Sequence, residues 1–202
     1  MIKNIVFDMG GVLVDYDTER FLRTHFAPEH RAEVDRNVFL SEEWHEADRG
    51  TYTAEEALEI MCSHLPERLR DETRKMVLDR ETEMPPIEKM YPFVRELKQN
   101  GYKIYLLSNC PSWFDDFKKS VPAFEFFDGF LISAYCHAIK PEEEIYRIFF
   151  DTFSLDPQEC FFIDDSAANI EAAERLGMRG HCFLDKSIDA LKEKMRKNKI
   201  KI

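Results

Sequence analysis

The chain has 202 residues, 44% of them hydrophobic, with 17 phenylalanines and a net charge of −11 at pH 7. That length and apolar content predict a packed globular protein, one domain or one domain with an insertion, and exclude a disordered chain. The negative charge argues against nucleic acid or an anionic membrane as partner. No apolar run approaches spanning length and the N-terminus has no signal-peptide layout, so a cytoplasmic protein is expected.

The first element in chain order is a short buried strand, Ile5-Val6-Phe7, which stops at Asp8 and is followed by Gly10-Gly11 and Val12-Leu13-Val14. A carboxylate at the end of a buried strand, beside glycines that let backbone approach a ligand, is costly to build for stability alone. Residues 16–84 then carry helical signals only. Asp17 or Thr18 caps a first helix, Pro28 starts a second, and Ser41 opens a third containing Trp44. Thr53-Ala54-Glu55-Glu56 reads as a capping box, and Pro66 starts a helix that Pro85-Pro86 ends.

Beyond Pro86 the pattern becomes helix–strand alternation. An amphipathic helix over 87–100 ends at Gly101, and a strand over 102–107 stops at Ser108-Asn109. A strand over 130–132 leads to Lys140-Pro141, with Pro141 placed as a first helical residue. The strand Cys160–Ile163 stops at Asp164-Asp165. A helix ending at Gly177, a fifth strand over 181–184 and a Lys-rich amphipathic helix close the chain. This alternation predicts an α/β protein with a Rossmann-like parallel sheet, residues 1–15 and 85–202, interrupted by a helical insertion at 16–84. The five cysteines form no CxxC pair, so reduced thiols and no zinc site are expected.

In a parallel sheet the strands finish at one edge, where ligands bind. Asp8, Ser108, Asn109, Asp164, Asp165 and, shortly after a strand, Lys140 therefore converge. Three carboxylates in one crevice require a proton or a cation between them, and a few hard oxygen ligands suit Mg²⁺. Asp164 and Asp165 also suit a helix cap, a role compatible with ligation. Lys140, the Ser108 hydroxyl and backbone N–H groups after Asp8 and Ser108, those of Gly11 and Asn109 among them, supply the positive field that a phosphate needs on so acidic a chain.

These residues resemble the haloacid dehalogenase-like hydrolase superfamily across essentially the whole chain. The motifs stand here as Phe7-Asp8-Met9-Gly10-Gly11-Val12-Leu13, Leu107-Ser108-Asn109, Lys140-Pro141 and Phe162 to Ile170. The insertion at 16–84 looks like the family's helical cap. The resemblance implies hydrolysis of a small phosphorylated metabolite, a sugar phosphate above all, through an aspartyl-phosphate on Asp8. Mg²⁺ would be held by Asp8, the Gly10 carbonyl and Asp165, with Asp164 supporting that site and Ser108 and Lys140 binding phosphate.

One departure stands out. Most phosphatases of the family carry a second aspartate, a general acid and base, where this chain has Gly10, and losing such a group costs about 10² to 10⁴ in rate. The chain resembles in this respect the sugar-1-phosphate phosphatase-like members with glycine there. Asp15 and Asp17 are the nearest carboxylates in sequence. A non-catalytic protein keeping the metal site is the alternative reading. A metal-independent haloacid dehalogenase is a lesser one, because it leaves the Asp164-Asp165 pair without a purpose, and a phosphomutase is disfavoured by Gly10. In the insertion Arg49 is a candidate substrate contact, Trp44 is expected in the core and Tyr52 at the surface.

Overall fold

The computed structural model describes residues 1–79 and 84–202. Five parallel strands form one sheet: β1 (Asn4–Phe7), β2 (Lys103–Ser108), β3 (Gly129–Ile132), β4 (Cys160–Asp164) and β5 (Arg179–Cys182), in the order β3-β2-β1-β4-β5. Alternate residues serve opposite faces. Ile5, Phe7, Ile104, Leu106, Phe161 and Ile163 pack into one core, and Val6, Tyr105, Leu107 and Phe162 into another. Both faces are covered, which is why the strands read as continuous apolar runs.

The register builds the edge that matters. Phe7 pairs with Leu106 on one side and Ile163 on the other, so the next residue along, Asp8, stands level with Asp164. The Asp8 N–H donates to the Ile163 carbonyl at 2.9 Å.

Between β1 and the rest of the sheet lie α1 (Thr18–His25), α2 (Pro28–Asn37), α3 (Glu42–Arg49), α4 (Ala54–Ser63) and α5 (Glu67–Leu78). Their starts follow local chemistry. Asp17 caps α1, Pro28 opens α2, Ser41 caps α3, and Thr53 with Glu56 forms a reciprocal capping box on α4. The chain enters and leaves this layer through paired segments: Val14 bridges Pro86, Asp15 N–H donates to Pro85, and Ile87 N–H donates to Leu13.

Among the described residues the remaining α-helices are α6 (Met90–Gln99), two short turns α7 (Phe114–Phe117) and α8 (Ser133–Cys136), α9 (Glu143–Phe153), α10 (Ala167–Arg175) and α11 (Ile188–Lys197). Three boundaries differ from the sequence reading. Helix α5 ends at Leu78, before residues 80–83, which lie outside the described residues, so Pro85-Pro86 belongs to the paired linker. Pro141 is in a turn closed by Glu142 N–H to the Ile139 carbonyl, and α9 starts at Glu143. Strand β5 lies two residues early, leaving Leu184 exposed. Among the described residues none of the five cysteines forms a disulfide, and no helix is long and apolar enough to cross a membrane.

Candidate active site

The strand ends meet around Lys140. Its side chain is 1% exposed, and its Nζ lies 2.9 Å from Asp8 Oδ1 and 2.7 Å from Asp164 Oδ2. Asn109 fixes the chain at that point: its Oδ1 accepts from Lys140 N–H at 2.8 Å and its Nδ2 donates to the Lys140 carbonyl at 3.0 Å. The Asn109 side chain is thus taken up in aiming the lysine, while Asn109, whose backbone N–H is read from sequence as a phosphate donor, lines the cavity described below.

Asp164 is fully buried and its acceptors are occupied. Oδ1 takes Ser166 N–H at 2.8 Å and Asn169 Nδ2 at 3.0 Å, while Oδ2 takes Lys140 and Asn169. Asp8 Oδ1 accepts from Lys140 and from its own neighbour, Met9 N–H, at 2.7 Å. Asp165 is half-buried and lines the cavity described below, as does Asp8. One oxygen from each of Asp8, Asp164 and Asp165 falls within 4.8 Å of the others.

Such crowding is expensive without more positive charge. Burial, reinforced by Asp164 and Asp165, pushes the Asp8 carboxyl up to about 7 against the pull of Lys140. Burial raises Asp165 as well, with Asp164 adding to it. Burial works against the Lys140 ammonium, but Asp164 and Asp8 outweigh it and hold the lysine above its ordinary value. Three carboxylates against one ammonium leave a formal charge of −2, the deficit a divalent cation would fill. The donor set is all oxygen, as Mg²⁺ prefers. Asp8 and Asp165 have the more open oxygens, whereas Asp164 orients its neighbours.

Gly11 shows how closely Asp165 is approached. Its φ is +67°, and a Cβ there would stand 2.1 Å from Asp165 Oδ2, so only glycine fits. Its N–H, read from sequence as a phosphate donor, instead closes the turn onto the Val14 carbonyl at 2.9 Å. Gly10 lies against Tyr16, whose Cβ would be 3.5 Å from a Cβ added at position 10. Asp15 is held by Arg20 and Lys186, and Asp17 caps α1, so both carboxylates nearest in sequence already have partners. Ser108 is 1% exposed at the end of β2, and its hydroxyl makes a long 3.4 Å contact with the Asn109 carbonyl.

Above Asp8 and Asp165 opens a cavity of about 910 Å³, walled by the core edge and by residues of α2 and α3. Trp44 lines it, edge-on to Phe39 at 5.1 Å and to Trp113 at 5.9 Å. Trp44, expected in the core, is half-buried: it packs against the core's edge and also lines the cavity. Arg49 is not among the lining residues: its guanidinium grips Glu142 at 2.7 and 2.8 Å. It ties the helical layer to the start of α9, helped by Ser133, whose hydroxyl donates to the Asp48 carbonyl and accepts Cys110 N–H. Gly50 completes this seam, with φ +80° and room for no side chain against the Ala134 carbonyl. Tyr52 is at the surface.

A protein-family model described as haloacid dehalogenase-like hydrolase matches residues 2–177. The chain belongs to the haloacid dehalogenase-like hydrolases. Among curated relatives, D-ribitol-5-phosphate phosphatase of Bacteroides thetaiotaomicron is 29% identical, covering 88% of this chain and 89% of its own. A (S)-2-haloacid dehalogenase of a Pseudomonas species is 25% identical, covering 95% and 86%. Among solved structures, a mutant of a HAD-family enzyme from B. thetaiotaomicron in complex with magnesium and inorganic phosphate superimposes with a TM-score of 0.71 at 25% identity, covering 90% of this chain and 93% of that one.

Within this hydrolase, sequence reasoning missed Asn169 and Ser166 as the partners of Asp164, although both stand in the Asp164–Ile170 motif. The aromatic wall of the cavity and the Arg49–Glu142 seam left no signal in the sequence, since each joins segments far apart in the chain.

Proposed function

We propose that this hydrolase is a Mg²⁺-dependent phosphatase of a small phosphorylated metabolite, a sugar or polyol phosphate foremost, with Asp8 as nucleophile. The observation that carries the reading is the buried Lys140 bridging Asp8 and Asp164, with Asp165 facing the same cavity floor. In this reading residues 16–84 act as a cap that closes the cavity and excludes water.

The steps follow from the chain's own residues. An Asp8 carboxylate oxygen attacks phosphorus, the ester P–O bond breaks, and the leaving oxygen takes its proton from solvent water. Water then attacks the phosphorus of the aspartyl-phosphate, releasing inorganic phosphate and restoring Asp8. Lys140 holds Asp8 in place and offers charge to the phosphoryl oxygens, with Ser108 beneath the same edge as a further donor. Mg²⁺, held by Asp8, Asp165 and the Gly10 carbonyl, would neutralise charge between the carboxylate and the phosphate. Asp164, saturated by Lys140, Ser166 and Asn169, positions the lysine and the Asp165 loop.

A dehalogenase would also use an aspartate nucleophile. It needs no metal, and a cluster of three carboxylates with one ammonium would then be an unrelieved cost. The relative acting on ribitol phosphate supports the polyol class. The test is hydrolysis of p-nitrophenyl phosphate and a sugar-phosphate panel with Mg²⁺ or EDTA, alongside Asp8→Asn. Turnover that requires both metal and Asp8 is expected; turnover surviving EDTA, or none in folded protein, would refute the reading.

A further inference from the structure

We propose that Ser133 is a positioning residue for phosphoryl transfer: its buried hydroxyl couples the seating of the helical layer to the turn that carries Ser108 and Asn109. The inference rests on the phosphatase reading above and adds to it a residue that acts through its neighbours.

The register puts Ser133 where it can do this. Ser108, the last residue of β2, pairs with Ile132, the last of β3, so Ser133 is the next residue along the same edge, level with Asn109. It is fully buried. A hydroxyl has one proton to give and lone pairs to receive, and here both are used across two layers. Ser133 Oγ accepts from Cys110 N–H at 2.9 Å and donates to the carbonyl of Asp48, near the end of α3. A longer contact of 3.4 Å reaches the Cys110 carbonyl.

The segment it grips adjoins the groups that would act on phosphate. Cys110 follows Asn109, whose side-chain amide brackets the Lys140 backbone at 2.8 and 3.0 Å, and Lys140 Nζ stands 2.9 Å from Asp8. A continuous path thus runs from Asp48 through Ser133, Cys110, Asn109 and Lys140 to the nucleophile. Two neighbouring contacts enforce the same seating. A Cβ at Gly50 would stand 2.2 Å from the Ala134 carbonyl oxygen, and Arg49 holds Glu142, two residues after Lys140. These fastenings of α3 land on the core segments that present the phosphate donors. Donors aimed at a phosphoryl group matter most where its charge is redistributed, in the transition state, and misplacement by about 1 Å costs about 10² in rate.

The test compares Ser133→Ala, which removes both hydrogen bonds, with Ser133→Cys, which keeps the volume but bonds weakly, and Ser133→Thr, which keeps the hydroxyl. With p-nitrophenyl phosphate and Mg²⁺, below the melting transition of each protein, the first two should lose about 10- to 100-fold in kcat with KM within about threefold. Ser133→Thr should stay within about threefold of wild type in both. In a Ser108→Ala background the loss from Ser133→Ala should shrink to about threefold, because a group it positions is gone. Orthovanadate, a five-coordinate mimic of the transition state, should bind Mg²⁺-loaded Ser133→Ala about tenfold more weakly than wild type, and inorganic phosphate about equally. The Ser108→Ala cycle and the vanadate ratio decide the matter even where the extra methyl of threonine is not tolerated.

Wild-type kcat in Ser133→Ala and Ser133→Cys, an undiminished loss in the Ser108→Ala background, or unchanged vanadate binding would overturn the proposal and make Ser133 a residue of stability alone. Wild-type turnover alongside those results leaves the phosphatase reading standing. No turnover of any ester by wild type removes that reading, and vanadate then decides the proposal by itself. A tenfold weakening in Ser133→Ala supports it; equal binding, or none to wild type, overturns it.

Discussion

Replacing Lys140 by methionine keeps most of the side chain's volume and removes its charge, leaving Asp8 and Asp164 facing each other across the sheet edge. Asp164 is fully buried and Asp8 is 9% exposed, and each lies within 3 Å of the ammonium. Removing one partner of a buried pair costs about 3–5 kcal/mol, because a buried charge loses its compensation. Lys140 serves two such charges, so the upper half of that range is expected. For a chain of this size each kcal/mol moves the melting temperature by about 2–4 °C, giving a loss of about 8–20 °C in EDTA at neutral pH.

The origin of that loss is separable. If it comes from unpaired negative charge, adding Asp164→Asn to Lys140→Met should recover part of it, since the asparagine oxygen still accepts from Ser166 N–H and the Asn169 amide can turn to meet its nitrogen. A coupling of about 2 kcal/mol is expected from thermal melts of the four proteins in the cycle. Mg²⁺ should narrow the deficit of the single variant by supplying charge to the same carboxylates. Additive losses would refute the reasoning and make Lys140 a packing residue.

Four further outcomes follow from the same geometry. Mg²⁺ at about a hundred times its dissociation constant should raise wild-type stability by about 2.7 kcal/mol, and Asp165→Asn should abolish that thermal shift; a full shift in the variant would place the metal elsewhere. Gly11→Ala, with φ +67° and a Cβ 2.1 Å from Asp165 Oδ2, should cost more than Gly101→Ala, where φ is +89° but nothing stands within 4 Å. The second substitution isolates the backbone strain, about 1 kcal/mol, and the difference in melting temperature measures the clash. Arg49→Gln should cost about 0.5–1 kcal/mol, because the Arg49 and Glu142 side chains are 25% and 41% exposed. The Arg49 hydrogen bond holds Glu142 below the usual carboxylate value, so this stability is complete above that value and is lost as pH falls through the lowered one; the wild-type advantage in urea melts should begin to shrink near the ordinary glutamate value, about pH 4.3, and vanish below the lowered one. With Gly10 where a general acid usually stands, aryl phosphates should exceed alkyl phosphates in kcat by about 10² or more, and comparable rates would show that another group protonates the leaving oxygen.

The strand-end residues were legible because a parallel sheet leaves little freedom. Once β1, β2 and β4 are read as buried strands, their polar terminal residues must share an edge, and the register needs no further information to set Asp8 beside Asp164. The helix starts were equally local, written in Asp17, Ser41 and Thr53. Facing is a different matter. Trp44 and Arg49 sit five residues apart on α3, about 140° round the helix, so one reaches the cavity while the other reaches Glu142. Nothing within α3 says which face meets the core, because that is set by Trp113 and Glu142, 69 and 93 residues later in the chain. The shift of β5 has a similar cause. Gly180 lies in the strand with Ile170 of α10 packed over it, 3.1 Å from where a Cβ would stand, a closeness visible only once the helix is in place.

The net charge of −11 and the affinity for phosphate that the family resemblance implied are reconciled by how the cations are spent. Arg20 and Lys186 neutralise Asp15, and Arg49 neutralises Glu142, each pair fastening one segment to another. Lys140 is the cation committed to the carboxylate cluster, and its burial between Asp8 and Asp164 makes it unavailable to anything that has not reached Asp8. Among the described residues Lys140 in that cluster puts positive charge at the floor of the cavity, where a divalent ion would add to it. A surface rich in free lysine would bind phosphate more readily and discriminate less. Concentrating positive charge at one buried point offsets there the repulsion that an overall charge of −11 exerts on an anion.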